Sequence, residues 1–516
     1  MGRPTRTAIT FSNLVPSIVG PSRGTRVRYL YGRGTPGAFD LVRAVELLSL
    51  LVAVALFTLV GVAAGVLTGL APGLHVNNVA LLLLASRSAF EGLVLAVFPS
   101  AGLEELIAIL SSFVMGTVIG HSFLDFVPSV YLGAPEEKTA LSVLPGHRLL
   151  LAGEGHVAVR LAAKGGIAGV AAAVALLIPL RLFLGSPVDA YERAKGLIAF
   201  LLLGIASLLI LSERERRVKG RGGLERRIAS RSRQRVIAAI LFAVAGLLGY
   251  ALLDTNLLTA WNWFPLGQTS DDLGTLILFP LFTGLFGFPT LVLSSRSRSV
   301  VPPQDLSAGS KVAGGRIARA VLSGSLAGAL VSWLPGLSSG AATALSQLLS
   351  RGRGDERSPE SLREFMVALG AVSTATSVFT VSVLFIIDRA RSGAAVAIRE
   401  LNAGPLSPWD PVDKVPLLLA VLLISAAIAA VAAYPLTIAF SRLAARRIHR
   451  VRYDILARGI LAALALLLLV LAGAAGLMIA LIAAVLGLVP PLAGVKRVHL
   501  MGSLIVPVVL LYISLA

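Results

Sequence analysis

The chain contains no cysteine. That removes disulfides, thiolate metal sites and thiol redox chemistry from consideration. Charged residues make up only 14% of it, against about 25% in soluble globular proteins. Aromatic residues are scarce at 6%, and the six histidines are scattered. No H-E-x-x-H, G-x-S-x-G or phosphate-cradling P-loop pattern occurs. The reading is therefore a non-enzyme, with no catalytic residues and no metal site or other cofactor assigned. Residues 1–43 lack an apolar core of roughly 7–15 residues followed by a small-residue cleavage site, so no signal peptide is read there.

What is present is apolar. Hydrophobic residues are 56% of 516, mean hydropathy is +0.84, and several runs approach the ~20 apolar residues that span a bilayer. This predicts an all-α polytopic membrane protein of roughly 10–12 transmembrane helices, in a multi-pass arrangement in the cytoplasmic (cell) membrane. The net charge of +19 comes mostly from arginine. These arginines cluster in loops between apolar runs, as the positive-inside rule expects. There is no aromatic-basic interleaving that would suit a nucleic acid, so no nucleic-acid partner is expected. The loop at 213–235 is strongly basic and reads as cytoplasmic, while the stretch after residue 253, with Trp261 and Trp263 and no Lys or Arg, reads as external. The organisation expected is a basic, disordered cytoplasmic tail (1–43), a first transmembrane half (44–293), a basic linker (294–319) and a second half (320–516).

The stretch beginning at Gly61, GVAAGVLTGLAPGLHVNNVALLLL, recurs at Gly324 as GSLAGALVSWLPGLSSGAATALSQ. Gly61 matches Gly324, Gly65 matches Gly328, Pro72 matches Pro335 and Gly73 matches Gly336, each pair 263 positions apart. A repeat at this distance makes two related halves, and it extends weakly past residue 131 at an offset of 254. Proline removes a backbone donor and breaks a helix. Inside hydrocarbon the freed groups cost several kcal/mol each unless they are buried in protein or face a watery cavity. Interrupted segments at matching places in two halves point to a central binding site, and a helix restarting after such a break aims N–H groups at an anion. Gly61, Gly65 and Gly69 also form a small-xxx-small stripe that serves helix packing. Basic flanks before both first spans favour parallel copies, whereas a midplane site favours inverted ones, and the reading leans to the latter.

The candidate substrate-binding residues are Pro72, Gly73, His75, Asn77 and Asn78 in the first break, and Pro335, Gly336, Ser338, Ser339 and Thr343 in the second. Thr374 and Thr376, in the polar run Ser373–Ser377, join them. His75 and Asn77 suit a carboxylate, though Asn also caps helices. Ser and Thr in membrane helices also bond back to their own backbone. Asp125 lies among apolar residues with His121 one turn earlier, which suggests ion coupling or a structural pair. Glu136 and Glu137 fit a solvated helix start.

GVLTGLAPGLHVNNVALLLL resembles the opening G-x3-G-x2-PG motif of the TctA family, the large membrane subunit of tripartite tricarboxylate transporters. Residues 134–170 are similar to that family's Pro-rich turn and small-residue run. His147 falls where the family has an aromatic residue, while Gly153 and Gly155 match its glycines. GALVSWLPGLSSGAATALSQLL resembles its second-half segment. The likeness covers most of 44–400 and departs where the family carries a further Pro-Gly-Ser-x-Thr-Thr turn. It looks like a divergent, archaeal-type branch. The resemblance implies a secondary transporter moving an organic anion by symport with Na+ or H+. A small membrane subunit and an extracytoplasmic binding protein would assist, and membrane lipids surround it. PGLSSGAATAL also looks like a turn of polyprenyl-phosphate translocases, which keeps a lipid cargo open. A non-transporting membrane scaffold is the remaining alternative.

Overall fold

A computed structural model describes residues 36–71, 83–84, 87–132, 143–213, 216–219, 225–253, 277, 280–296, 301–307, 309, 312–335, 337, 339–349, 358–402, 405–449 and 453–514. The chain divides into two units, Met1–Ser49 and Leu50–Ala516. The described part of the first is helical. The second is a predominantly helical membrane body. Among the described residues, eight helices are long and apolar enough to cross a membrane, and three more apolar helices are shorter. The one sheet among the described residues is a two-stranded hairpin, Arg216–Lys219 with Glu225–Ala229, inside the basic loop.

The first half holds α1 (Pro36–Leu70), α2 (Arg87–Val97), α3 (Leu103–Leu124), the short α4 (Phe126–Tyr131), α5 (Val143–Leu151) and α6 (Gly155–Leu184). After α7 (Ala190–Ala194), α8 (Ile198–Leu211), α9 (Arg231–Leu253) and α10 (Phe288–Arg296) follow. The second half holds α11 (Gly314–Ser332), α12 (Ser339–Leu349), α13 (Pro359–Ile387), α14 (Gly393–Leu401) and α15 (Leu417–Ile448). The chain closes with α16 (Tyr453–Ala493) and α17 (Gly502–Ser514). Local chemistry sets several starts. The Glu105 carboxylate accepts from Gly102 N at 3.0 Å at the head of α3. Ser358 accepts from Ser361 N at 3.2 Å before Pro359, which opens α13. The 41-residue α16 is two helices joined across Gly473, whose φ of 65° glycine adopts without strain.

Small residues bring backbones together. Gly61 lies against Phe113 and Thr117, Gly65 against Thr117, Gly120 and His121, and Gly69 against His121 and Leu124. Rising numbers meet rising numbers, so α1 runs parallel to α3. The second half repeats this: Gly324 meets Ala368 and Val372, and Gly328 meets Ala375 and Thr376, so α11 runs parallel to α13. The glycines are 263 positions apart and their partners 255, pairing Phe113 with Ala368, Thr117 with Val372 and His121 with Thr376.

The orientation of these bundles follows from their ends. Glu154, before α6, binds Arg363 at the start of α13 through two hydrogen bonds of 2.9 and 2.6 Å. Tyr131, just beyond α3, bonds Ser441 at 3.1 Å, and Ser441 also bonds His156 at the start of α6. Thus α3 finishes where α13 begins, and the two are antiparallel. They meet at Ser122 and Ser377, whose hydroxyls lie 3.2 Å apart. These residues are themselves 255 positions apart. Equivalent residues touch where a two-fold axis passes, and an axis relating antiparallel membrane helices lies in the membrane plane. The contacts therefore relate the bundles as inverted copies. The basic flanks before both first spans mislead on this point.

At the α6-start end the described residues include Arg148, Arg160, Arg316, Arg319, Arg442, Arg446 and Arg447. The opposite end carries Asp189, Glu192, Asp388, Asp410 and Asp413 together with Arg193, Lys195, Arg389, Arg391, Arg399 and Lys414, and Arg181 there donates to Trp409 O and Asp410.

Candidate functional site

Of the sequence-predicted residues, Pro72, Gly73, His75, Asn77, Asn78, Gly336 and Ser338 lie outside the described residues, as do Glu136 and Glu137. The remainder lie on or beside α3, α11, α12 and α13, and α13 packs against each of the other three. Pro335 ends the turn after α11, and Ser339 opens α12, so a helix restarts just past the second break. Ser339 is buried and its hydroxyl has no partner. Thr343, one turn on, donates to Ser339 O at 2.9 Å. Its hydroxyl serves the helix backbone.

The polar run on α13 divides by face. Thr374 donates to Gly166 O on α6 at 2.8 Å and to Gly370 O at 3.2 Å. That hydroxyl laces α6 to α13. Ser377 donates to Ser373 O at 3.0 Å while meeting Ser122. Thr376 faces Gly328, and its hydroxyl, like those of Ser373 and Ser325, is buried without a hydrogen bond. A buried hydroxyl left unpaired costs about 1–3 kcal/mol. Four such groups on α11, α12 and α13 form a set of donors waiting for an acceptor.

The first half supplies the ionisable groups. His121 is fully buried and its Nδ1 lies 3.1 Å from the Thr68 hydroxyl. Thr68 also lies within reach of Gly65 O at 3.2 Å. Asp125 is 3% exposed, at the joint between α3 and α4, and accepts from Ser129 at 3.4 Å. Its backbone N–H closes the last turn onto His121 O at 3.0 Å. Across the two-fold, His121 answers to Thr376 and Asp125 to Thr380. The site is thus asymmetric, with acid and imidazole on one side and hydroxyls on the other.

Sequence reasoning misses two features. Ser122 does not stand out in a run dominated by apolar residues. The span 157–184 reads as ordinary, yet Gly165, Gly166 and Gly169 bring α6 onto Val367, Thr374 and Ala371. The visible signal was the small-residue cluster KGGIAG, which permits close approach.

Eight apolar helices of spanning length among the described residues, packed around the Ser122–Ser377 crossing, make the chain a multi-pass membrane protein. It belongs to the tripartite tricarboxylate transporter TctA family, whose model matches residues 55–502. An uncharacterised protein of Methanocaldococcus jannaschii is 27% identical over 355 residues, covering 67% of this chain and 73% of that one. No solved structure matches the chain.

Proposed function

We propose that this chain is the permease subunit that carries an organic anion, a di- or tricarboxylate, across the cytoplasmic membrane by symport with Na+ or H+. The observation that carries the reading is the start of α12: a helix N-terminus, whose first amides have no partner within the helix, beside the unpartnered Ser339 hydroxyl. Thr376 and Ser373 add donors from α13. Pro335 and Gly336 make the break, and Ser338 and Thr343 flank it. Pro72, Gly73, His75, Asn77 and Asn78 are the corresponding elements of the first half. Asp125, backed by His121, is the coupling group, since a buried carboxylate gains most from a bound proton or sodium. A small membrane subunit and an extracytoplasmic binding protein complete the system, as membership of a tripartite family supports.

Thermal unfolding of the detergent-purified protein tests this. Di- and tricarboxylates, each with and without Na+ and at two pH values, are compared with a short polyprenyl phosphate. At 100 times its Kd a ligand adds about 2.7 kcal/mol of stability. The expected result is a rise in Tm with a carboxylate, larger with the coupling ion. A rise with the polyprenyl phosphate alone would assign the site to a lipid cargo, and no response to any of them would favour a scaffold.

A further inference from the structure

The helices α8, α9, α10, α16 and α17, with α12 beside them, meet around the short turn Arg497–Met501. Hydrogen bonds tie this corner together. Lys496 Nζ donates to Ser212 Oγ at 2.9 Å, and Arg235 Nη2 donates to Leu211 O at 2.7 Å. Both cations cap the end of α8, as helix C-termini favour. The Glu213 carboxylate accepts from Lys496 N at 2.9 Å and bonds His499 Nε2 at 2.7 Å, through the same oxygen. Burial pushes its carboxyl up, but the bonds from His499 and Lys496 outweigh that and hold it below the usual range. Glu213 thus binds His499 and Lys496 through one carboxylate oxygen.

The Arg497 guanidinium is partly buried and makes a single hydrogen bond, Nη1 to Thr290 Oγ1 at 2.6 Å. Thr290 is 4% exposed and sends its own proton to Phe286 O at 2.8 Å, so it can only accept. No carboxylate reaches Arg497 among the described residues. A guanidinium has five N–H donors, and a desolvated, unneutralised one costs several kcal/mol. The corner thus holds a fixed cationic fork with four donors unengaged and hydroxyl support behind it.

We propose that Arg497 and Thr290 form a binding site for the phosphate headgroup of an anionic phospholipid. A planar guanidinium matches phosphate bidentately. The helix ends around it present exposed apolar side chains suited to acyl chains: Leu211 at 56%, Val236 at 57% and Leu492 at 66%. The corner adjoins the basic loop 213–235, on the side the positive-inside rule assigns to the cytoplasm, where anionic lipids draw basic residues.

The test is thermal stability of the detergent-purified full chain with added phosphatidylglycerol, phosphatidylcholine or inorganic phosphate. Wild type is compared with Arg497→Gln, Arg497→Lys, Thr290→Val and, as a control on another helix at the same membrane face, Arg319→Gln. Phosphatidylglycerol is expected to raise the Tm of wild type and of the Arg319 variant by several degrees. The rise should be lost in Arg497→Gln and reduced in Arg497→Lys and Thr290→Val. Phosphatidylcholine should have no effect. An undiminished phosphatidylglycerol response in Arg497→Gln overturns the proposal. So does an equal response to inorganic phosphate, which would make this a site for soluble anions. If Arg497→Gln does not fold, the Arg497→Lys and Thr290→Val responses decide in the same way.

Discussion

Gly370→Leu is expected to abolish the folded protein. A Cβ at Gly370 would overlap the carbonyl oxygen of Ala162 and lie 2.9 Å from Gly166 N, both backbone atoms of α6 that no rotamer change can move. Gly165, on the facing helix, is equally tight against the Val367 backbone. Overpacking a well-packed interior costs about 1–3 kcal/mol, more when backbone must move. Leu adds three further heavy atoms, which puts the cost at the top of that range or beyond it, comparable with a marginal domain stability of about 5–15 kcal/mol. The comparison is Gly204→Leu, on α8, where a Cβ meets nothing within 4 Å. Size-exclusion profiles and melting curves of detergent extracts should show a monodisperse Gly204→Leu protein and an aggregated or absent Gly370→Leu one. A wild-type melting curve for Gly370→Leu would mean that α6 and α13 do not pack as described.

The second large effect belongs to Asp125→Asn. The side chain sits at 3% exposure between His121 and Ser129. Asn keeps its shape and its capacity to accept a hydrogen bond but cannot take up a proton or hold a sodium ion as a charge. If Asp125 is the coupling group, ion-driven uptake into proteoliposomes should fall by roughly 100-fold, about 2.7 kcal/mol. The melting temperature should change little, because Asn also removes a desolvated charge. The same fall caused by lost folding would appear in the melting curve. Uptake at the wild-type rate with its ion dependence intact would remove Asp125 from the mechanism and leave it a structural partner of Ser129.

Much of the fold is legible in the sequence because the bilayer imposes it: apolar runs of spanning length and basic loops leave few alternatives to a helical membrane body. The break at Pro335 and the restart at Ser339 are legible because proline and glycine act locally. The relation between the halves is less so. The glycines of α1 and α11 persist at a constant offset because each must let a backbone approach. Their partners Phe113 and Ala368, or His121 and Thr376, share only a position, and side-chain identity does not record it. Thr374 shows the same limit. Its hydroxyl looks available in the run Ser373–Ser377, but the carbonyl that takes it belongs to Gly166, 208 positions away. Ser122 acquires meaning only when α3 crosses α13, which no local pattern announces.

The central claim is that an anion binds where α12 begins, and the absence of cysteine makes it directly measurable. Ser339→Cys places the chain's single thiol at that position, and its reaction with a small methanethiosulfonate reagent can be followed in proteoliposomes. The account predicts that a di- or tricarboxylate at ten times its Kd slows the reaction roughly tenfold, and more when Na+ or a low pH supplies the coupling ion. A labelling rate indifferent to every carboxylate would contradict it.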